Sequence, residues 1–271
     1  MALTYFQGKH VLVTGGSSGI GLSVARQLLG HGATVTILAR RQTLLDDART
    51  ALATPDRTHT LSVDVSNEAD VTEKVGAHIQ QYPADMLINN AGIVMPGRFL
   101  ELEYKHFREM MDVNYFGTIH MCRTVLPQFV TRGGGHVLNV SSMAGAIGIY
   151  GYTAYAASKF AICGFSEALR GEMWPHKIRV SVCLPPDTDT PQLAFENQFK
   201  PAETKAIAGT VKTMSADDVA SAMLSGMAAG KYEIVPGMDG QLTVVASRFL
   251  PGVTRWVCDM SQKKAKPEAK A

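Results

Sequence analysis

VLVTGGSSGIGLSVARQLL, residues 11–29, decides the fold of this chain. A short β-branched run leads into a glycine-rich turn, and apolar residues at helical spacing follow at once. The glycines at 15, 19 and 21 are spaced G-x-x-x-G-x-G rather than G-x-G-x-x-G. The physics is shared: glycine permits a tight turn and close backbone approach, and a helix N-terminus offers free N–H groups and a positive dipole end to a pyrophosphate. Gly15, Ser17, Ser18, Gly19, Ile20 and Gly21 are therefore the candidate phosphate cradle. An ordinary βα loop also carries glycine; the strand before and the helix after favour binding.

Working outward, short apolar runs alternate with longer helical patterns. The runs are His10–Val13, Thr34–Leu38, His59–Val63, Met86–Ile88, His136–Val140, Arg179–Cys183 and Glu233–Val235. Such alternation requires crossover connections and a parallel sheet covered on both faces. The expected fold is α/β, a Rossmann-like doubly wound parallel sheet of about seven strands. A length of 271 residues suits one well-buried domain, placed at residues 1–260. Composition shifts only after Gly240: Gln241–Met260 is an apolar extension with Arg248, Arg255 and Trp256 interspersed, and 261–271 is charged, low in complexity and predicted disordered.

A net charge of +2 with 18% charged residues, and no Lys/Arg stripe with interleaved aromatics, argues against nucleic acid as a partner. Cys122, Cys163, Cys183 and Cys258 lack metal-ligand spacing, so a metal-free protein of a reducing cytosol is expected. The N-terminus has no charged region followed by an apolar one, so no signal peptide is read. No run of about 18 apolar residues exists to span a bilayer. A cytoplasmic location is expected, peripheral to a membrane at most.

The second strand runs into Arg40 and Arg41. An acid near this point would accept bonds from a ribose 2′-OH, whereas arginine suits a 2′-phosphate, so NADPH/NADP+ is the expected cofactor. The alternative is a pair of surface arginines at a helix start. Asp64 ends the next strand, where it can receive the adenine amino group with help from the Val65 backbone, or cap the turn before Ser66.

Tyr155-Ala156-Ala157-Ser158-Lys159 puts a phenol and an ammonium on one face of a helix. A nearby Lys⁺ favours phenolate and brings tyrosine into acid–base range. The pattern carries weight only beside the glycine turn, Asn89-Asn90-Ala91-Gly92, and Asn139-Val140-Ser141-Ser142. With Asn114, these motifs in this order resemble the short-chain dehydrogenase/reductase family over roughly residues 8–240. The resemblance implies that Tyr155 is the general acid in reduction, that Ser142 hydrogen-bonds the substrate oxygen, and that Lys159 holds the nicotinamide ribose and lowers the tyrosine pKa. It implies that Asn114 supports a proton-relay water, and that Asn90, Ala91, Gly92, Pro185, Thr188 and Thr190 lie against the cofactor. Ser141 competes with Ser142, whose separation from Tyr155 matches the family. Members are often dimers or tetramers through the helices bearing Asn114 and Tyr155, which implies a homodimer or homotetramer.

Pro185-Pro186-Asp187-Thr188-Asp189-Thr190 follows the sixth strand where the family commonly has Pro-Gly. With the glycine turn and the arginine after strand two, it resembles the family's 3-ketodihydrosphingosine reductase branch. That implies NADPH-dependent reduction of the keto group of a sphingoid base, a lipid-like small molecule. Such a substrate carries an ammonium beside its ketone, and Asp187 or Asp189 is a candidate partner for it. Equally, Thr190 suits an N-cap, Pro191 the first helical position and Asp189 the helix dipole. Other readings are a reductase of another bulky lipophilic carbonyl and an NADP(H)-binding regulatory protein. The extension at 241–260 is read as a peripheral membrane contact or as a helix packed on its own domain or a partner subunit.

Overall fold

The computed structural model describes residues 2–209 and 211–265. Nine strands are present among them: β1 His10–Thr14, β2 Thr34–Ala39, β3 Thr58–Ser62, β4 Met86–Asn89, β5 Gly135–Val140, β6 Ile178–Cys183, β7 Thr188–Asp189, β8 Met214–Ser215 and β9 Glu233–Ile234. Seven form one sheet in the order β3-β2-β1-β4-β5-β6-β9, every neighbouring pair parallel, while β7 and β8 pair separately. All seven apolar runs became strands of this sheet, and the doubly wound expectation holds.

The core follows from the pleat. Successive residues of β1 face opposite ways. Val11 and Val13 join Val35, Ile37 and the buried faces of the Gly19–Gly30 and Ala216–Ala228 helices. Leu12 joins Leu38, Leu87, Val125, Phe129 and Val137 on the other face. With both faces covered, every residue of β1 is buried. That is why these strands read as continuous apolar runs rather than alternating ones.

Strand order reverses between β1 and β4, and at such a switch point the loops leaving the carboxyl ends diverge and leave a crevice. The helix behind β4 contains a π-type turn, Met111–Phe116, which carries Asn114. Beyond β9 lie two further helices, Met238–Phe249 and Pro251–Lys264, with Pro251 at the first position of the second. The extension is thus helical and folds back on the domain. The expectation of disorder from residue 261 is corrected, because the helix runs through Lys264 and Ser261 Oγ bonds Val257 O at 3.0 Å. Residues 266–271 lie outside those described. No helix among the described residues is long and apolar enough to cross a membrane.

Candidate active site

The loops after β1, β4, β5 and β6 enclose a cavity of about 550 Å³. One limb is walled by Gly15, Ser17, Ser18, Gly19 and Ile20. The waist holds Asn90, Ala91, Gly92, Ser142, Tyr155 and Lys159. The far limb is lined by Tyr152, Asp187, Glu196, Ile207, Val211 and, from the C-terminal helices, Ala246, Val253 and Val257.

The first limb fits a pyrophosphate. Gly15 has φ +65°, and a Cβ there would lie 2.9 Å from Asn90 Nδ2; a Cβ on Gly21 would collide with the Gly15 carbonyl oxygen. Thr14 Oγ1 accepts the Asn90 and Ala91 N–H groups, each at 2.9 Å, which ties the β4 loop to the glycine turn. Ser18 occupies the N-cap of the Gly19–Gly30 helix in extended conformation, yet its side chain makes no capping bond. The N–H groups at that helix start are therefore available to an anion.

Arg40, Arg41, Asp64 and Val65 sit at the carboxyl ends of β2 and β3, beside the cradle in the sheet but outside the lining of this cavity. Arg40 Nη1 lies 4.0 Å from Asp64 Oδ2 and both are exposed enough for solvent to screen them. Asp64 Oδ1 takes the Ser66 N–H at 3.0 Å and hydroxyl at 2.7 Å, the turn-capping alternative. Val65 is buried, with its carbonyl accepting His120 Nδ1 at 2.9 Å.

At the waist, the Thr153–Met173 helix delivers Tyr155 and Lys159 one turn apart. Lys159 is 4% exposed; its ammonium donates to Val140 O at 3.1 Å and stands 5.7 Å from the Tyr155 ring centroid. Burial lowers its pKa to about 8. The Tyr155 phenol is raised, first by burial and then by the Glu196 charge, with the Ser142 hydroxyl bond pulling the other way. Burial thus outweighs the downward pull of Ser142 on the phenol. The two serines separate clearly. Ser141 is buried and its hydroxyl donates to Lys159 O at 2.8 Å, whereas Ser142 reaches Tyr155. Asn114 is fully buried beneath the waist, holding the Ile93 backbone at 2.8 and 3.0 Å and Ser158 Oγ at 2.9 Å.

In the loop after β6, Pro185 O accepts Met143 N at 3.0 Å, and Thr188 is buried with its hydroxyl on Pro186 O. Thr190 caps the Pro191–Glu196 helix through Leu193 N at 3.2 Å and lies against Gly19, so this loop closes over the cradle. The two acids part company. Asp189 is exposed in β7, outside the cavity lining, so the expectation that it pairs with a substrate ammonium is corrected: the strand that pairs with Met214–Ser215 holds it away. Asp187 lines the cavity but already pairs with Lys200 at 2.9 Å, and Lys200 also holds Glu196 at 2.8 Å. Glu196, Lys200 and Tyr152 were missed in the sequence. Glu196 and Lys200 have the spacing of a solvated ion pair on one helix face, and only an apolar neighbourhood on both sides hints at burial.

A parallel sheet with a phosphate cradle at its switch point, opening onto Ser142, Tyr155 and Lys159, is the construction of a dinucleotide-dependent oxidoreductase. The description "short chain dehydrogenase" matches residues 9–201, and the chain belongs to that family. A curated relative named 3-dehydrosphinganine reductase, from Danio rerio, is 43% identical over 87% of this chain and 73% of its own length. A 3-ketodihydrosphingosine reductase of Bos taurus is 40% identical over the same shares. Among solved structures, a short chain dehydrogenase of Burkholderia cenocepacia in complex with NADP has a TM-score of 0.80 at 25% identity, covering 93% of this chain and 98% of that one.

Proposed function

We propose that this protein reduces the 3-keto group of 3-ketodihydrosphingosine with NADPH. The observation that carries the reading is the lining of the cavity, in which the glycine-rich cradle, Tyr155 and the apolar side chains Ile207, Val211, Val253 and Val257 border one space; the relatives at 43% and 40% identity name the ketone that such a space would take. NADPH, when bound, supplies the hydride that the carbonyl carbon receives. Gly15–Gly21 hold its pyrophosphate, Arg40 and Arg41 its 2′-phosphate, Asp64 and Val65 its adenine. Asn90–Gly92, Pro185, Thr188 and Thr190 support the nicotinamide side.

Ser142 and Tyr155 converge on the ketone oxygen, and Tyr155 gives it a proton as charge develops there. The raised phenol means that the group is protonated at neutral pH before the ketone binds, and that the phenolate needs support once the proton has left. Lys159 steadies the ribose and the phenolate left behind. Asn114, through the π-type turn, positions the backbone for a water that returns the proton. Ile207, Val211, Val253 and Val257 exclude water from the lipid chain. Exposed Phe116 and Phe160, on the helical runs bearing Asn114 and Tyr155, support a homodimer or homotetramer, and the C-terminal helices a peripheral membrane contact. Purified protein with 3-ketodihydrosphinganine in mixed micelles should oxidise NADPH faster than NADH. Turnover of a neutral lipophilic ketone alone would keep a reductase and discard the sphingoid substrate.

A further inference from the structure

Three charges that do not balance stand at the far limb of the cavity, two carboxylates in its wall and an ammonium buried behind them. The Lys200 ammonium, 2% exposed, is shared between Glu196 Oε1 at 2.8 Å and Asp187 Oδ2 at 2.9 Å. One cation between two carboxylates leaves one negative charge over, in a place where uncompensated charge is costly. Both acids line the cavity, but not alike. The Asp187 side chain is 32% exposed and water screens it; that of Glu196 is 9% exposed. Tyr152 hydrogen-bonds the Glu196 carboxylate, and its ring centroid is 5.5 Å from that of Tyr155. Burial pushes the Glu196 carboxyl up while Lys200 and Tyr152 pull it back toward the carboxylate, so the surplus charge sits one aromatic side chain away from the phenol that handles the proton.

We propose that Glu196, oriented by Lys200 and Tyr152, is the specificity-determining acid that receives the ammonium carried by the substrate on the carbon beside its ketone. The assignment rests on reading the site as a reductase of keto-sphingoid bases. It also explains an arrangement that would hinder a neutral ketone. After burial, the Glu196 charge is the largest influence raising the Tyr155 phenol, so it opposes the phenolate that forms when the proton leaves. A bound ammonium cancels that field. The correct substrate thus removes the obstacle to its own reduction, and a ketone without the amine leaves it in place.

The test compares 3-ketodihydrosphinganine with its des-amino analogue of equal chain length, using wild type and Glu196→Gln. In wild type the amino ketone should be preferred in kcat/KM; in the variant that preference should fall about 10- to 100-fold, as expected for loss of one charge-assisted hydrogen bond. Most of the fall should lie in KM for the amino ketone, with the des-amino ketone reduced no more slowly than before. NADPH fluorescence enhancement reports that the variant is folded. A wild-type preference that survives unchanged in Glu196→Gln overturns the role of Glu196 and leaves the sphingoid reading standing. A wild type that reduces the des-amino ketone but not the amino ketone overturns the sphingoid reading, and the role with it. Calorimetry on NADP+-loaded wild type gives a check independent of the variant. Dodecylamine should bind at least about tenfold tighter than dodecan-1-ol, and equal affinity would overturn the assignment.

Discussion

Tyr155 and Lys159 face opposite electrostatic demands in one enclosed space. Burial raises the phenol and lowers the ammonium, so each is pushed toward its neutral form. Tyr155→Phe removes the proton donor while leaving the ring's packing, and should cut kcat by about 10²- to 10⁴-fold with NADPH affinity retained by fluorescence titration. The lysine sets a pH limit. With its pKa lowered to about 8, Lys159 is charged below that pH and neutral above it. The cation that supports the nascent phenolate is therefore lost as pH rises through about 8, and kcat/KM for ketone reduction should fall there. Tyr155 stays protonated across the same interval and cannot cause the fall. Lys159→Met should flatten that limb at a lower overall rate; a profile unchanged in shape would assign it to another group.

At the level of elements, the Pro191–Glu196 helix is held at both ends by short-range chemistry. Thr190 caps its start through Leu193 N, and Lys200 ties its last residue to Asp187 in the loop leaving β6. Lys200→Met leaves two acids facing each other without their cation, and should destabilise the fold by about 3–5 kcal/mol in urea unfolding. Thr190→Ala should cost only about 1 kcal/mol. Reversal of that order would mean that the ion cluster contributes nothing net. The same region shows where sequence reading stopped. Thr190 and Pro191 are local signals, and the helix start was legible from them. The sheet strands were legible too, because burial on both faces makes them apolar runs bounded by turns. The two-residue strands β7 and β8 have no period to detect, and the π-type turn around Asn114 differs from an α-helix by a shift in bonding partner that composition does not encode. Tyr152, Glu196 and Lys200 are brought together by the β6 exit loop folding over the Tyr155 helix, a tertiary event. Asp187 and Asp189 looked equivalent in the chain, and only the β7–β8 pairing separates them.

At the scale of the whole molecule, exposed apolar side chains gather on the two C-terminal helices that also border the cavity. The Met238–Phe249 and Pro251–Lys264 helices contribute Ala246, Val253 and Val257 to the cavity wall, and Leu242, Phe249 and Trp256 of the same helices are exposed, as is Leu250 between them. One pair of helices therefore borders both the site and the solvent. Arg248, which the sequence offers as a lipid-facing charge, is instead bound to Glu233, with Nη1 to Oε1 at 2.9 Å; Arg255 keeps its place among the exposed aromatics. A lipid that leaves a bilayer must cross water unless the mouth lies against the membrane, so contact through these helices would shorten that path. Insertion of Phe249 and Trp256 is worth about 1.5–3 kcal/mol each, enough for reversible attachment when anionic lipid adds its attraction. The protein should therefore float with anionic vesicles on a sucrose gradient at low salt. Phe249→Glu with Trp256→Glu should abolish flotation and raise KM for a vesicle-borne ketone while leaving turnover of a short soluble ketone unchanged. Wild type that stays at the bottom of the gradient would turn the exposed face into a contact for another subunit, and sedimentation velocity of the same double variant would then show the loss of an oligomer.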